Sequence, residues 1–471
     1  MMQHTGAVTS MTNAQDKPIS LWRLAWPLAI EMILQFLMGT VDSLMVSSLG
    51  DHEVSAVGVA NQIVMSLMTI FFLVNSGASV VTANRWGAGD RRAAGRTAAM
   101  AVKINLYAGL AISLLLYASA EWLLRLMSCP PEVLPHAETY LRIVGAGMAA
   151  AVLHMTLSAV IRSTGNTRDP MIVSILMNVL HLVLNYGLIF GAFGLPELGV
   201  KGVAISTVVS RFAALGLCAW VLLRTFGARR FFASWLGYDK PLLRDVFAIG
   251  MPSIFTSVSW GASQMVVVSI VSGLGATPLA AYTYVNLVQQ LPFMLGQAFG
   301  MAVQIQVGQL KGAARHEAAY RAPYAGAKIG MLASFGAALL LALAGKPVLG
   351  WFTDSADVVA AAAPIFLLCL AWQPMRIWTF TLTGALTAVG EARFVAVISV
   401  AGMWFTTTAG AYAFGVWAGW GLLGVFAAYF LDEAFRAVCA GARWKERRSL
   451  PLSERSESQY NRRDTTFFDK A

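Results

Sequence analysis

From Leu21 to about residue 441 the chain is a succession of apolar runs, most about 20 residues or longer, separated by short charged or Gly/Pro-containing stretches. A helix crosses about 30 Å of hydrocarbon in ~20 residues, and in lipid a backbone must satisfy its own hydrogen bonds, so runs of this kind fold as membrane-spanning helices. A β-barrel would instead show alternating segments of about 10 residues, which are absent. With 57% apolar and only 12% charged residues, the chain lacks the polar surface of a soluble globule. The pattern predicts an all-α integral membrane protein with about twelve spans, at roughly 21–49, 54–83, 95–118, 135–157, 170–192, 202–224, 243–272, 278–308, 318–343, 358–386, 394–416 and 420–441.

The net charge of +10 does not point to nucleic acid, because the basic residues are spread over alternate loops. Arg85, Arg91, Arg92 and Arg96 follow the second span, Arg162 and Arg168 the fourth, Arg224, Arg229, Arg230, Lys240 and Arg244 the sixth, Lys311 and Arg315 the eighth, and Arg443, Lys445, Arg447 and Arg448 the last. The intervening loops are acidic or nearly neutral, so the positive-inside rule places both termini in the cytoplasm. Residues 1–20 lack the apolar core of a signal peptide and read as a cytoplasmic tail. Four isolated cysteines, without CxxC spacing, suggest neither a disulfide framework nor a metal site.

A second pattern divides the chain. "GTVDSLMVSSLG" (39–50) returns as "QMVVVSIVSGLG" (264–275) at an offset of 225, and the offset also maps Pro27 to Pro252, Asn61 to Asn286, Gly165 to Gly390 and Arg168 to Arg393. Six of the sixteen positions from Val46 to Asn61 are identical in the second copy, and "GVKGV" corresponds to "GLLGV" after a slip of three residues. An even number of spans per half makes the repeat parallel, with its axis along the membrane normal. The expected organisation is a tail (1–20), a six-helix bundle (21–224), a cytoplasmic linker (225–242), a second six-helix bundle (243–441) and a tail (442–471), related by pseudo-two-fold symmetry about a central cavity suited to alternating access.

Pro27 with "GTVDSLMVSSLG", "GASVVTANRWGAGD" (77–90), "IRSTGNTRDPM" (161–171), "LNYGLIFGAFGLPELGVKGVAISTVVS" (184–210), "GQLKGAARHEAA" (308–319) and "GALTAVGEARF" (384–394) together resemble the multidrug and toxic compound extrusion (MATE) transporters. The resemblance covers nearly the whole chain outside its tails. It implies a multi-pass antiporter of the bacterial inner membrane that exports amphipathic or cationic compounds in exchange for H⁺ or Na⁺. It implies no other cofactor or metal; the partners are a small-molecule substrate and the bilayer, the chain acting as a monomer without nucleic acid. The rival within transport is a lipid-linked oligosaccharide flippase of the same superfamily, which would carry more cationic residues in its cavity; Arg376 and Arg211 are the candidates. A membrane enzyme would need clustered ligands or a nucleophile with its base, and the scattered His154 and His181 supply neither.

Asp42 stands out first. An aspartate at the centre of a span costs ~2.5–3.5 kcal/mol on insertion scales and is usually functional or paired. The second copy has Val267 in this slot, so helix packing does not require the acid. Asp42 is the candidate proton or Na⁺ acceptor, as at the matching family position; the alternative is an aspartate near the outer interface. Glu31 and Gln35 lie on the same face of the first span and extend the polar stripe, unless Glu31 pairs with Arg23. Pro27 leaves the Arg23 carbonyl without its helical donor, permitting either a static kink or a bend linked to ion binding.

In the fifth span Asn178, His181 and Asn185 share a face. The positions matching His181 and Asn185 are often Asn and Asp in Na⁺/H⁺-coupled members, and Thr207 matches a family threonine. With a single carboxylate a hard Na⁺ site is weakened, while Asp42 with His181 can form a proton-exchange pair; a structural histidine is the alternative. The second half carries Trp260 and Arg376 near positions that are acidic in one sodium-coupled branch. Arg376 either binds an anionic substrate group or pairs with a carboxylate across the cavity. Asn61, Asn286, Gln290 and Gln297 make polar, uncharged faces suited to loose substrate recognition or to helix–helix hydrogen bonding.

Overall fold

The computed structural model describes residues 20–449 apart from 236, 238 and 351. The expected tails therefore lie outside the described residues, except for Ser20 and the stretch up to 449. The first bundle comprises α1 (Leu21–Ser47), α2 (Asp51–Gly87), α3 (Arg91–Leu126), α4 (Leu134–Ala146), α5 (Met148–Ser163), α6 (Arg168–Phe190) and α7 (Val200–Phe226). A short helix, α8 (Ala228–Trp235), occupies the linker. The second bundle comprises α9 (Lys240–Gly273), α10 (Ala276–Gly312), α11 (His316–Leu349), α12 (Ala356–Ala388), α13 (Ala392–Ala401, continuing as π-helical turns over Gly402–Thr408 and Ala411–Trp417) and α14 (Gly421–Ser449).

Among the described residues, nine of these elements are long and apolar enough to cross a bilayer alone, and α4 with α5, bent by 47°, forms a tenth span. α10 and α14, which are not among these nine, complete the second bundle, giving the twelve spans read from the sequence. Two spans differ in detail from simple helices. The fourth breaks at Gly147, where an added Cβ would press into the Val208 side chain, so the glycine lets α4–α5 approach α7 closely. The eleventh is wound as π-helix opposite Asp432, whose carboxylate lies against Gly402 and accepts from Thr406 at 3.1 Å.

The internal repeat is built into the backbone. Gly50 and Gly275 immediately precede α2 and α10 with φ of 143° and 116°, Gly165 and Gly390 precede α6 and α13 with 91° and 97°, and Gly199 precedes α7 and Gly421 opens α14 with 55° and 57°. The last pair follows the slip of three residues. Such φ values are strained for any residue with a Cβ, which is why glycine recurs at matched turns.

The symmetry axis passes through the crossing of α2 with α10. There the Asn84 amide donates to the Ala388 carbonyl at 3.2 Å, and the Gln309 amide donates to the Ser163 carbonyl at 2.9 Å. Donor and acceptor are both displaced by 225, so these two bonds are images of one another. Gly87 lies against the Gln309 backbone and Gly312 against the Asn84 backbone, again a symmetric pair, with no room for a Cβ on either.

Contacts between bundles concentrate at this end of the molecule. Leu21, Leu24, Ala25, Leu28 and Ala29 of α1 share a core with α10 residues from Ala298 to Leu310. Val80 and Val81 of α2 pack on Leu242, Val246 and Ile249 of α9, and Ser76 bonds Ser253 at 3.1 Å. Beyond them the bundles diverge: α1 has no buried residue from Met32 to Met45, and α9 exposes Phe255, Val258 and Trp260. The molecule is closed at the end where α1 begins and open at the other.

Candidate functional site

Asp42 is partly buried toward the open end of α1, and the side chains that reach it come from α6, which is held in turn by α7. Asn185 of α6 donates its amide to Asp42 Oδ1 at 2.7 Å. The opposite end of that amide, Asn185 Oδ1, lies against the Ser206 hydroxyl of α7, which also faces the Val203 carbonyl at 2.9 Å. His181, one turn before Asn185, places Nδ1 3.5 Å from Asp42 Oδ1 and Nε2 3.2 Å from Thr207 Oγ1. On α4, Tyr140 donates to Asn61 Oδ1 at 3.2 Å.

The hydrogen-bond directions constrain where protons sit. Thr207 has one hydroxyl proton, and it is directed at the Val203 carbonyl, a pure acceptor, 2.9 Å away. The Thr207 oxygen therefore accepts from His181 Nε2–H. In a neutral imidazole this leaves Nδ1 as a lone pair facing the Asp42 carboxylate. Two acceptors face one another unless a proton lies between them, carried either by the aspartate or by the ring. At 3.5 Å the two groups are neighbours and not hydrogen-bonded; a proton on either would make them complementary, and Asn185 can donate to the carboxyl in either state.

Other residues singled out in the sequence fall elsewhere. Glu31 is buried and pairs with Arg162 of α5 at 2.6 Å, rather than with Arg23. Arg162 thus sits in the last turn of α5 as the partner of a buried acid and not in the loop that follows. Asn178 turns back on its own helix, donating to the Ser174 carbonyl at 2.7 Å, and does not join the Asp42 network. Gln35 is exposed on α1 between the two acids, so Glu31, Gln35 and Asp42 share a helix face without forming a connected chain.

Pro27 is buried inside an unbroken α1. The carbonyl of Arg23, deprived of its helical donor, lies 3.4 Å from the Thr167 hydroxyl, which supplies the missing hydrogen bond from the α5–α6 loop. Arg23, Pro27, Thr167 and Arg168 border a cavity of about 650 Å³, which leaves α1 space to move at this point.

In the second bundle Trp260 is exposed and Gln290 and Gln297 are half-buried, without hydrogen bonds to the described residues. Asn286 donates to its own helix at the Tyr282 carbonyl, 3.0 Å away. Arg376 is buried, lies over the Trp372 ring at 4.2 Å and reaches Glu433 of α14 at 3.4 Å. Its carboxylate partner belongs to its own bundle, not to one across the cavity. Glu433 and Asp432 also bind Arg436, at 3.1 and 2.5 Å, which makes a charge-balanced cluster between α12 and α14.

Tyr140, Ser206, Arg162 and the trio Asp432, Glu433 and Arg436 are polar groups that the sequence reading did not single out as sites, and Arg211 it weighed only as a cavity cation. Arg211 and the "LDEAFR" trio carry the same signal as Asp42, a charge inside an apolar run. Tyr140 and Ser206 carry none, because their significance arises from contacts across helices.

A family model, MatE, matches residues 27–187 and again 252–413, two matches whose starts are separated by the repeat offset. The transporter YisQ of Bacillus subtilis is 31% identical over 449 residues, covering 95% of this chain and 98% of its own. The probable multidrug resistance protein NorM of Thermotoga maritima is 26% identical over 439 residues, covering 91% and 94%. Among solved structures, an outward-facing MATE family transporter of the MOP superfamily matches with a TM-score of 0.81 at 21% identity, over 93% of this chain and 96% of that one.

Proposed function

The chain belongs to the MatE family, and from that premise we propose that it exports amphipathic or cationic compounds in exchange for protons bound at Asp42. It is a multidrug efflux transporter of the inner membrane, and not an enzyme. The observation that carries the coupling assignment is the juxtaposition of Asp42 and His181, with Nδ1 3.5 Å from Oδ1 and Nε2 committed to Thr207. A site with one carboxylate, whose neighbouring amide oxygen already lies against Ser206, offers few hard oxygen ligands for Na⁺.

The closed end, in this reading, faces the cytoplasm. Arg85, Arg91, Arg168, Lys240, Lys311 and Arg443 all belong to helix ends or loops on that side, consistent with the positive-inside rule. The molecule is then outward-facing, with Asp42 toward the open side, where it takes up a proton. Protonation weakens the hold on a cationic substrate in the cleft, and the bundles rock about the α2–α10 crossing to return the proton inside. Pro27, with its spare carbonyl and adjacent cavity, is the point at which α1 adjusts its bend. Trp260, Gln290, Gln297, Gln35 and Asn61 supply cleft wall. The flippase alternative wants a cationic cavity; of its two candidate cations Arg376 is neutralised by Glu433, which speaks against it and leaves Arg211 alone in its favour.

Ethidium efflux from everted vesicles, under separately imposed pH and Na⁺ gradients, tests the proposal. Wild type should respond to the pH gradient and Asp42→Asn should not. Efflux that survives Asp42→Asn removes the assignment, and dependence on Na⁺ alone overturns proton coupling.

A further inference from the structure

The two halves of the repeat settle the charges of one turn differently. In the second half the loop between α12 and α13 carries an acid, Glu391, which accepts from Arg443 at 2.6 Å and from Arg447 at 2.8 Å, both on α14. Lys311 of α10 donates to the Val389 carbonyl beside it at 2.9 Å. In the first half the offset of 225 puts Asn166 in the place of Glu391 and Trp86 in the place of Lys311, and after the slip of three residues Val221 and Thr225 stand for Arg443 and Arg447. The acid and its partners are gone together. Two other cations stand here instead: Arg168, whose counterpart is Arg393, and Arg23 of α1, whose counterpart is Ala248. Both border the cavity of about 650 Å³ at the closed end, and the Thr167 hydroxyl, 3.4 Å from the Arg23 carbonyl, ties the two backbones together. Both side chains are exposed, and neither guanidinium makes a hydrogen bond or an ion pair with a described residue. The acid of this wall, Asp169, is engaged by the Asn166 amide at 2.7 Å. Trp26 and Trp86 line the cavity as well, and Arg91 brings a third cation to its edge, stacked on Trp86 at 3.3 Å from the ring centroid.

We propose that this cavity binds the phosphate of an anionic phospholipid of the cytoplasmic leaflet, held between Arg23 and Arg168. The inference rests on the reading that the closed end faces the cytoplasm. Basic pockets between spans on that side suit anionic headgroups, and indoles beside arginines mark the level at which headgroups lie. A guanidinium presents paired N–H donors that match phosphate oxygens. Two arginines against one acid leave the cavity wall positive, so a headgroup of net negative charge is drawn in. A zwitterionic headgroup brings its own cation and gains less. The lipid thus supplies from outside the counter-charge that Glu391 supplies from within the second half. A headgroup in this position fills the space beside Pro27 and ties α1 to the start of α6, so bound lipid steadies the closed end.

The test titrates purified protein in non-ionic detergent with phosphatidylglycerol and counts bound lipid by native mass spectrometry, with phosphatidylcholine and inorganic phosphate as the other probes. Wild type should retain one phosphatidylglycerol in preference to phosphatidylcholine. Arg23→Gln and Arg168→Gln should each weaken phosphatidylglycerol by about tenfold or more, as the loss of a charge-assisted hydrogen bond does. Arg92→Gln combined with Arg244→Gln, which removes two exposed cations from the same end, should change it little. Asn166→Glu, which gives this loop the acid of the second half, should abolish the preference between the two lipids. Equal retention of both lipids by wild type overturns the inference, whatever the variants do. An equal loss from the Arg92 and Arg244 pair overturns it too, leaving only attraction to a basic surface. Inorganic phosphate that binds as tightly as the lipid assigns the cavity to a free anion and likewise overturns it. Binding in detergent does not depend on which side the closed end faces. That is read separately by labelling Arg92→Cys, in a cysteine-free background, with an impermeant thiol reagent on intact cells, where labelling from outside overturns the cytoplasmic assignment alone.

Discussion

At the scale of single residues, the comparison of Asp42 with Val267 separates what the fold requires from what transport requires. Val267 is fully buried in the core of the second bundle, whereas Asp42 is partly buried and bonded to Asn185. The same slot serves packing in one half and polar chemistry in the other. Asp42, His181 and Asn185 were legible in the sequence because each is a polar group where hydrocarbon should be, and Thr207 because it matches a family threonine. The direction of their hydrogen bonds was not, since it depends on the Thr207 hydroxyl being committed to Val203. Thr207→Val removes the acceptor for His181 Nε2–H, frees the ring to change tautomer and should reduce proton-driven efflux at least about tenfold while leaving ethidium affinity nearly unchanged; equal losses in both would show that Thr207 shapes the substrate cleft instead. Glu31 behaves differently. Removing one partner of a buried ion pair costs about 3–5 kcal/mol, so Glu31→Ala should lower thermal stability strongly without altering which gradient drives transport; a shift in coupling ion would return Glu31 to the ion path.

At the scale of elements, the periodicity of apolar runs located every span, but not how each is wound. The α4–α5 bend and the π-turns of α13 depend on Val208 and Asp432 approaching glycines from other helices, contacts that no local pattern encodes. The same holds for α1, where the proline was plain and the loop hydroxyl that compensates it was not. Thr167→Val removes that compensation and should cost ~1 kcal/mol, the net worth of a typical hydrogen bond, measurable by thermal unfolding in detergent. The loop between α12 and α13 supplies a pH dependence. Burial of Glu391 by itself disfavours its charge, but Arg443 at 2.6 Å and Arg447 at 2.8 Å outweigh it and hold the carboxyl below its ordinary range. A carboxyl whose folded value is depressed contributes stability that is present above its unfolded value and is lost as pH falls through the folded one. Unfolding followed from about pH 6 down to about pH 3 should show this loss in wild type. Glu391→Gln should lack that component, and an unchanged pH profile would count against it.

At the scale of the whole molecule, the offset of 225 predicted two parallel bundles, and the paired bonds Asn84–Ala388 and Gln309–Ser163 show where their axis runs. The sequence could not tell which face of each bundle meets the other, because the apolar residues that meet there, such as Leu24, Leu28 and Val303, look no different in sequence from those that face lipid or the bundle interiors. Gly312→Val places a side chain against the Asn84 backbone. It should pry the closed end apart, raising the labelling of a cysteine introduced at that end and lowering transport; unchanged labelling would mean that this crossing does not hold the bundles together.

The central claim is that the proton held at Asp42, beside His181, is the one exchanged for substrate. It is tested most directly by adding ethidium to purified protein in weakly buffered detergent near neutral pH and following proton release with an indicator dye. The account predicts release in proportion to ethidium bound by wild type, and binding without release by Asp42→Asn. Equal release from both proteins would contradict it.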